Sequence, residues 1–175
     1  RAKLEEQRAR HTKFADTEYN LEPNVKSCPG GLRDLQIIGW LAERHFGIES
    51  LEKITSSDFL DPEEMEILYR GREFMWQVRY ALHMITGREE DRLLFDHQRT
   101  LAELWGFEDG DRLAVEQFMQ TYYRWALSLG QLNEVLIQNF DQAILRADTA
   151  DEVVVVNERF QLRSGYVEAR DEDLF

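Results

Sequence analysis

The chain's 175 residues suffice for one domain with a sizeable core, and 43% hydrophobic with 31% charged residues is globular composition, not disorder. A formal net charge of −13 argues against general nucleic-acid binding and against docking on anionic membranes, while leaving room for a small local basic site. The single cysteine, Cys28, excludes a disulfide framework and fits a reducing, cytoplasmic setting, and no apolar run approaches the roughly 18 residues that span a bilayer. No signal peptide is recognisable. The chain opens at Arg1 inside a helical pattern, so it reads as an excised piece of something longer.

In chain order, residues 1–14 are charged and free of glycine and proline, and read as a mostly exposed helix. Residues 15–32 hold Pro23, Pro29, Gly30 and Gly31 and form an irregular connection. Leu35, Ile38, Leu41 and Ala42 recur at helical spacing, which predicts a helix from Leu32 or Arg33 to His45 with Gly47 as its stop. Residues 48–61 read as a short helical turn and a Ser-Ser-Asp loop. Asp61, Pro62, Glu63 and Glu64 then give an N-cap, a first-turn proline and first-turn acids. This helix is predicted to run to about Ile85 and stop at Gly87, with Leu68, Met75, Val78, Leu82 and Ile85 as its apolar stripe. Residues 88–96 are a polar loop or short helix, and 97–106 a short helix closed by Gly106.

The longest predicted element covers Asp111 to Arg146. Val115, Phe118, Tyr122, Trp125, Leu129, Leu132 and Leu136 alternate three and four apart. At 1.5 Å per residue it would span about 50 Å, as the spine of a helix bundle. The end differs: VVVV at 153–156 and two short runs around Arg163-Ser164-Gly165 predict a small β-hairpin. The expected architecture is therefore all-α, a helix bundle with a long spine helix and a small C-terminal β-hairpin. Residues 1–147 form the bundle domain (1–14 leading helix, 15–32 connecting loop, 33–147 core), and 148–175 a hairpin extension toward a next domain.

Candidate chemistry is sparse. The histidines at 11, 45, 83 and 97 have no metal-ligand spacing to one another or to Cys28. Asp109-Gly110-Asp111 has the form of a metal-binding carboxylate pair, but it sits in a turn entering a helix and reads as a turn and N-cap. Asp96-His97 reverses the order of a phosphohydrolase pair and lacks companion histidines. Cys28 has no histidine near it in sequence and reads as a bystander thiol.

Two features could meet an anion. Taking Arg72 as 0° on a helical wheel, Trp76 falls at about +40°, Arg79 at about −20° and His83 at about +20°. These residues share a strip beside the buried face, where guanidinium groups could grip phosphate or pair with Glu73, Asp91 or Asp96. In NVKSCPGGLRDLQ, residues 24–36, two glycines precede a helix start, with Lys26 before them and Arg33 after. Exposed amides there could receive an anion, although neither G-x-x-x-x-G-K-[ST] nor G-x-G-x-x-G is present. From the residues alone, a phosphate loop and a rigid turn both stand.

The stretches YNLEPNVKSCPGGLRDLQ, REFMWQVRYALHMITGREEDRLLFDHQRTLAELWGF and AVEQFMQTYYRWA, and the end FQLRSGYVEARDEDLF, closely resemble the family of bacterial PII-protein uridylyltransferase/uridylyl-removing enzymes. PGGLRD is also similar to a GGIRE-type segment in the adenylyltransferase of glutamine synthetase. The resemblance implies a parent with a nucleotidyltransferase domain, a helical region, a phosphohydrolase domain of the HD type and glutamine-sensing ACT domains. Such a parent uses Mg²⁺, transfers UMP from UTP to a tyrosine of the PII nitrogen-signalling protein, and removes it by hydrolysis. This chain then corresponds to the nucleotidyltransferase-associated helical segment.

The family's Gly-Ser…Asp-x-Asp and His…His-Asp sets are absent from these residues, so the chain alone is expected to be inert and to bind no metal. Lys26, Gly30, Gly31, Arg33, Arg72, Arg79 and His83 are its candidate nucleotide-binding residues; none is a candidate catalytic residue. Partners follow from the parent: PII and UTP, with no nucleic acid and no membrane. Two alternatives remain open at this point: a non-catalytic module that docks PII or transmits the glutamine signal, and a segment of the related adenylyltransferase.

Overall fold

The computed structural model describes residues 2–14, 20–46, 60–148, 153–157, 159–163 and 166–170. The expected helical turn and loop in 48–61 fall mostly outside the described residues, as do the Gly47 stop and the Ser164-Gly165 turn. Five helices are described: α1 (Ala2–Lys13), α2 (Leu32–Phe46), α3 (Pro62–Thr86), α4 (Phe95–Leu104) and α5 (Ala114–Asp148). Three strands follow, β1 (Val153–Val155), β2 (Phe160–Arg163) and β3 (Tyr166–Ala169). The chain forms two compact units, residues 1–135 and 136–175. The units divide inside α5, whose sequence pattern reads as helical to Arg146. None of the described helices is long and apolar enough to cross a membrane.

α3 starts where its capping chemistry requires. Asp61 is extended, its Oδ1 accepts the Glu64 amide at 2.8 Å, and Glu64 Oε2 accepts the Asp61 amide at 3.0 Å. It ends at Gly87, whose φ of 64° is left-handed. Four residues of its predicted stripe, Leu68, Met75, Val78 and Leu82, are buried completely, and the fifth, Ile85, is partly exposed. α5 meets it with Phe118, Tyr122, Leu129 and Leu132, all buried, and Phe74 and Trp125 lie with ring centroids 6.4 Å apart. A Cβ on Gly71 would come within 2.8 Å of Leu129 Cδ2, so a bare backbone at 71 sets how closely these helices approach. α2 adds Leu35, Ile37, Ile38 and Ala42 to the same core.

Two boundaries shift for local reasons. α5 begins at Ala114, not Asp111, because the intervening turn makes its own bonds: Asp109 Oδ1 accepts the Ala114 amide at 2.7 Å, and Gln117 Nε2 donates to the Glu108 carbonyl at 2.8 Å. α4 covers 95–104, two residues earlier than its periodicity suggests, and Gly106, at φ 76°, turns the chain out.

In the second unit the expected hairpin is β2–β3, with Phe160 opposite Ala169 and Arg163 opposite Tyr166. The VVVV run joins it as a third antiparallel strand, with Val153 opposite Arg163 and Val155 opposite Gln161. The turn between β1 and β2 is held by Asn157, whose Oδ1 accepts the amides of Arg159 at 2.9 Å and Phe160 at 2.8 Å.

Candidate functional site: a clasped glycine turn

The glycine turn is bound on every side to its own protein. Val25 donates its amide to the Asp91 carbonyl at 2.9 Å, and Leu93 donates to the Pro23 carbonyl at 2.8 Å, so residues 23–25 lie antiparallel to 91–93. Gln98 Nε2 ties both segments, donating to the Leu21 carbonyl at 2.7 Å and the Leu93 carbonyl at 2.9 Å. From this strap the chain turns tightly into α2. The Gly31 amide donates to the Cys28 carbonyl (2.9 Å), Leu32 to Val25 (3.1 Å), Arg33 to Lys26 (2.8 Å) and Asp34 to Gly31 (3.0 Å).

These bonds engage the amides that a free helix N-terminus would leave without partners. The Gly30 amide donates to Asp34 Oδ2 at 2.9 Å. Both glycines are required by contact. Gly30 has φ 71°, and a Cβ there would lie 1.9 Å from the Ala126 carbonyl oxygen of α5; one on Gly31 would lie 2.7 Å from the Val25 carbonyl oxygen. What the turn presents outward is therefore side chains. Lys26 and Arg33 are held side by side by the backbone bond between them, and both are partly exposed.

Two carboxylates organise the surroundings. Asp34, buried at 1% exposure, takes hydrogen bonds from Gln7 Nε2 at 2.9 Å and from Arg10 Nη2, and His11 Nε2 lies 3.0 Å from each of its oxygens. Gln7, Arg10 and His11 are three and four apart, so they share one face of α1. The leading helix is thus more than an exposed element: its polar stripe is docked, and Gln7 is buried. Arg10 Nε also donates to the Ser27 carbonyl at 3.1 Å.

Asp91 is the second node. Arg79 Nε donates to its Oδ1 at 2.6 Å, His83 Nε2 lies 3.2 Å from the same oxygen, and Lys26 Nζ lies 3.7 Å from Oδ2. Burial alone would raise the Asp91 carboxyl, but the hydrogen bonds from Arg79 and His83 and the charges of Arg79 and Lys26 outweigh it and hold the group below its ordinary value.

Of the seven candidate residues, the structure brings together Lys26, Arg79 and His83 at Asp91, with Gly30, Gly31 and Arg33 on the adjoining turn. Arg79 makes a carboxylate pairing, the alternative to phosphate contact, with Asp91, and His83 shares that carboxylate. Arg33 Nη2 lies 3.7 Å from Glu6 and its guanidinium sits 5.6 Å from the Trp40 ring centroid. Arg72, two turns before Arg79, packs over Tyr69 at 5.4 Å. Sequence reasoning missed Asp34 and the residues of α1 that meet it, Gln7, Arg10 and His11. Their signal is faint: an acid at the third position of a helix, and a polar i, i+3, i+4 stripe with no apolar residue in it.

Cys28 is buried beneath the turn and receives the Asn24 amide on Sγ at 3.1 Å. Burial pushes its thiol above the ordinary value, against the opposing pull of that hydrogen bond. Among the described residues no group of three or more histidine, cysteine, aspartate or glutamate side chains could hold a metal ion. A groove of about 560 Å³ runs along α5 past Met119, Tyr123 and Leu127, and includes none of the seven candidates.

Fold and site together define a helical-bundle segment built around a clasped glycine turn. A family model described as GlnD PII-uridylyltransferase matches residues 1–137, and the chain belongs to that family. It is 52% identical to a bifunctional uridylyltransferase/uridylyl-removing enzyme of Pseudomonas aeruginosa, over 99% of this chain and 19% of the relative. It is also 52% identical to one of Azotobacter vinelandii, over 99% of this chain and 20% of the relative, and 51% identical to one of Pseudomonas fluorescens, over 99% and 19%. The chain thus spans about a fifth of the length of the curated relatives it matches. No solved structure matches it.

Proposed function

We propose that this chain is the helical segment of a bifunctional enzyme that transfers UMP from UTP to a tyrosine of the PII signalling protein and removes it again by hydrolysis, in the cytoplasm. The observation that carries the reading is the family match over residues 1–137 together with identity along essentially the whole chain. In the transfer, a bond forms between the tyrosine oxygen and the α-phosphorus of UTP, and the bond to pyrophosphate breaks. Negative charge grows on the leaving group, so fixed cations beside it lower the barrier.

Lys26 and Arg33 are the side chains of this segment best suited to that task. They are long, cationic, partly exposed and anchored next to each other by the turn. Gly30 and Gly31 set the shape of the turn. Arg79 and His83 act through Asp91, which holds Lys26, and Arg72 lies on the same helix. The parent's Mg²⁺ does not fit the described carboxylates: Asp34 and Asp91 are already surrounded by cationic and amide donors, and Asp109 caps α5. We assign the metal-dependent steps to polypeptide outside these residues.

The test is made on the full-length parent. Arg33→Ala should reduce uridylyl transfer more than uridylyl removal. Equal losses that track lost thermal stability overturn the assignment.

A further inference from the structure

The C-terminal half of α3 is apolar on two opposite sides. One side is the bundle core, Met75, Val78 and Leu82. The other carries Trp76, Tyr80 and Met84, spaced four apart and therefore on one line, at 45%, 68% and 68% exposure. The first half of the helix shows no such second side: its outward positions are Glu63, Glu66, Arg70 and Glu73. A helix that is apolar on both sides is one that is covered on both sides. Arg79 packs over the Trp76 ring at 5.2 Å, at the edge of this line.

The size of the patch selects its occupant. Three large side chains, one about half exposed and two mostly exposed, offer about 300 Å² of apolar surface. A stable complex between separate molecules needs about 800 Å² from each partner. A patch this small suffices when the occupant is tethered, because a covalent connection raises its effective concentration. The relatives are about five times as long as this chain, so tethered polypeptide is at hand. We propose that Trp76, Tyr80 and Met84 form an intramolecular seat for an apolar segment of the parent polypeptide outside these 175 residues. The proposal rests on the family reading above only in taking the parent to be longer than this chain.

Hydroxyl-radical footprinting of the 175-residue chain and of the full-length parent tests it. The expected result is modification of Trp76, Tyr80 and Met84 several-fold slower in the parent, without any added partner. Equal rates in the two proteins overturn the proposal. So does protection that appears only when PII is added, or protection in the short chain that grows with its concentration, which would mark a second copy. A Tyr80→Ser, Met84→Ser double variant supplies a second readout. It should leave the melting temperature of the short chain unchanged and lower that of the parent; a parent that does not respond counts against the seat. Uridylyl transfer from UTP is assayed on the same parent samples. Its absence with protection intact sinks the functional reading and leaves the seat standing.

Discussion

Arg79 of α3 and Asp91 of the loop before α4 are joined by a 2.6 Å hydrogen bond between Nε and Oδ1, and both side chains are mostly buried. The same carboxylate faces His83 and Lys26, so one acid ties α3 to the strap that carries the glycine turn. Replacing Asp91 with alanine should leave Arg79 without its partner and cost about 1–3 kcal/mol, read from urea denaturation at pH 7.

The pH dependence of that contribution has a definite sign. The folded-state value of Asp91 lies below its ordinary value of 3.8. Its stabilisation is therefore fully present above the unfolded value, and is lost as pH falls through the still lower folded value. The stability gap between the native chain and Asp91→Asn should hold steady from pH 7 to about 5 and close below about pH 4. A gap that widens on acidification would show that Asp91 is not held ionised by its neighbours.

Asp34 should be the more sensitive acid. It is buried, and four donors from α1 and the turn converge on it. Its removal leaves the Arg10 guanidinium at 11% exposure with no carboxylate. Asp34→Ala is expected to cost about 3 kcal/mol. Hydrogen exchange of the α1 amides should accelerate well beyond that of α3, because the docked face of α1 depends on this one group.

The glycines separate contact from conformation. Gly30 and Gly87 have similar left-handed φ values, 71° and 64°, but a Cβ at 87 meets nothing within 4 Å, while one at 30 meets the Ala126 carbonyl. Gly87→Ala should lose about 1 kcal/mol, the cost of the left-handed backbone alone. Gly30→Ala carries the same cost plus a backbone clash, and should lose at least about 3 kcal/mol. Comparing the two denaturation midpoints checks this directly.

Cys28 should behave as a buried thiol. With its thiol raised by burial and its Sγ already hydrogen-bonded, reaction with a disulfide reagent at pH 8 is expected to follow unfolding of the chain, not its native concentration. Fast labelling of the native protein would mean that the turn opens readily.

Much of the scaffold was legible because it rests on local chemistry. Asp61, Pro62 and Glu64 announce the start of α3, Gly87 its end, and the three-and-four spacing from Phe118 to Leu132 gives the buried face of α5. The docked side of α1 was not legible. Its contacts are polar, and hydrophobic periodicity is blind to Gln7, Arg10 and His11 meeting a single aspartate 23 to 27 residues away in sequence. The third strand was half legible: VVVV reads as β-prone, but nothing local says that it pairs with β2. For the site, the charges were visible and their arrangement was not. Whether the amides of PGGLRD face outward depends on carbonyls of Val25, Lys26 and Cys28, which only the closed turn places within reach.

We propose that the side chains of the turn, not its amides, serve uridylyl transfer in a full-length parent. The most direct test compares Lys26→Ala and Arg33→Ala with the unaltered full-length enzyme in both activities, with melting temperatures measured alongside. Loss of one charge-assisted phosphate contact is worth about 1.4 kcal/mol or more, so each variant should slow transfer from UTP by about ten-fold or more. Removal of UMP from modified PII should stay close to the unaltered rate, with the melting temperature unchanged. Equal losses in the two activities, or transfer unaffected in both variants, would contradict the account.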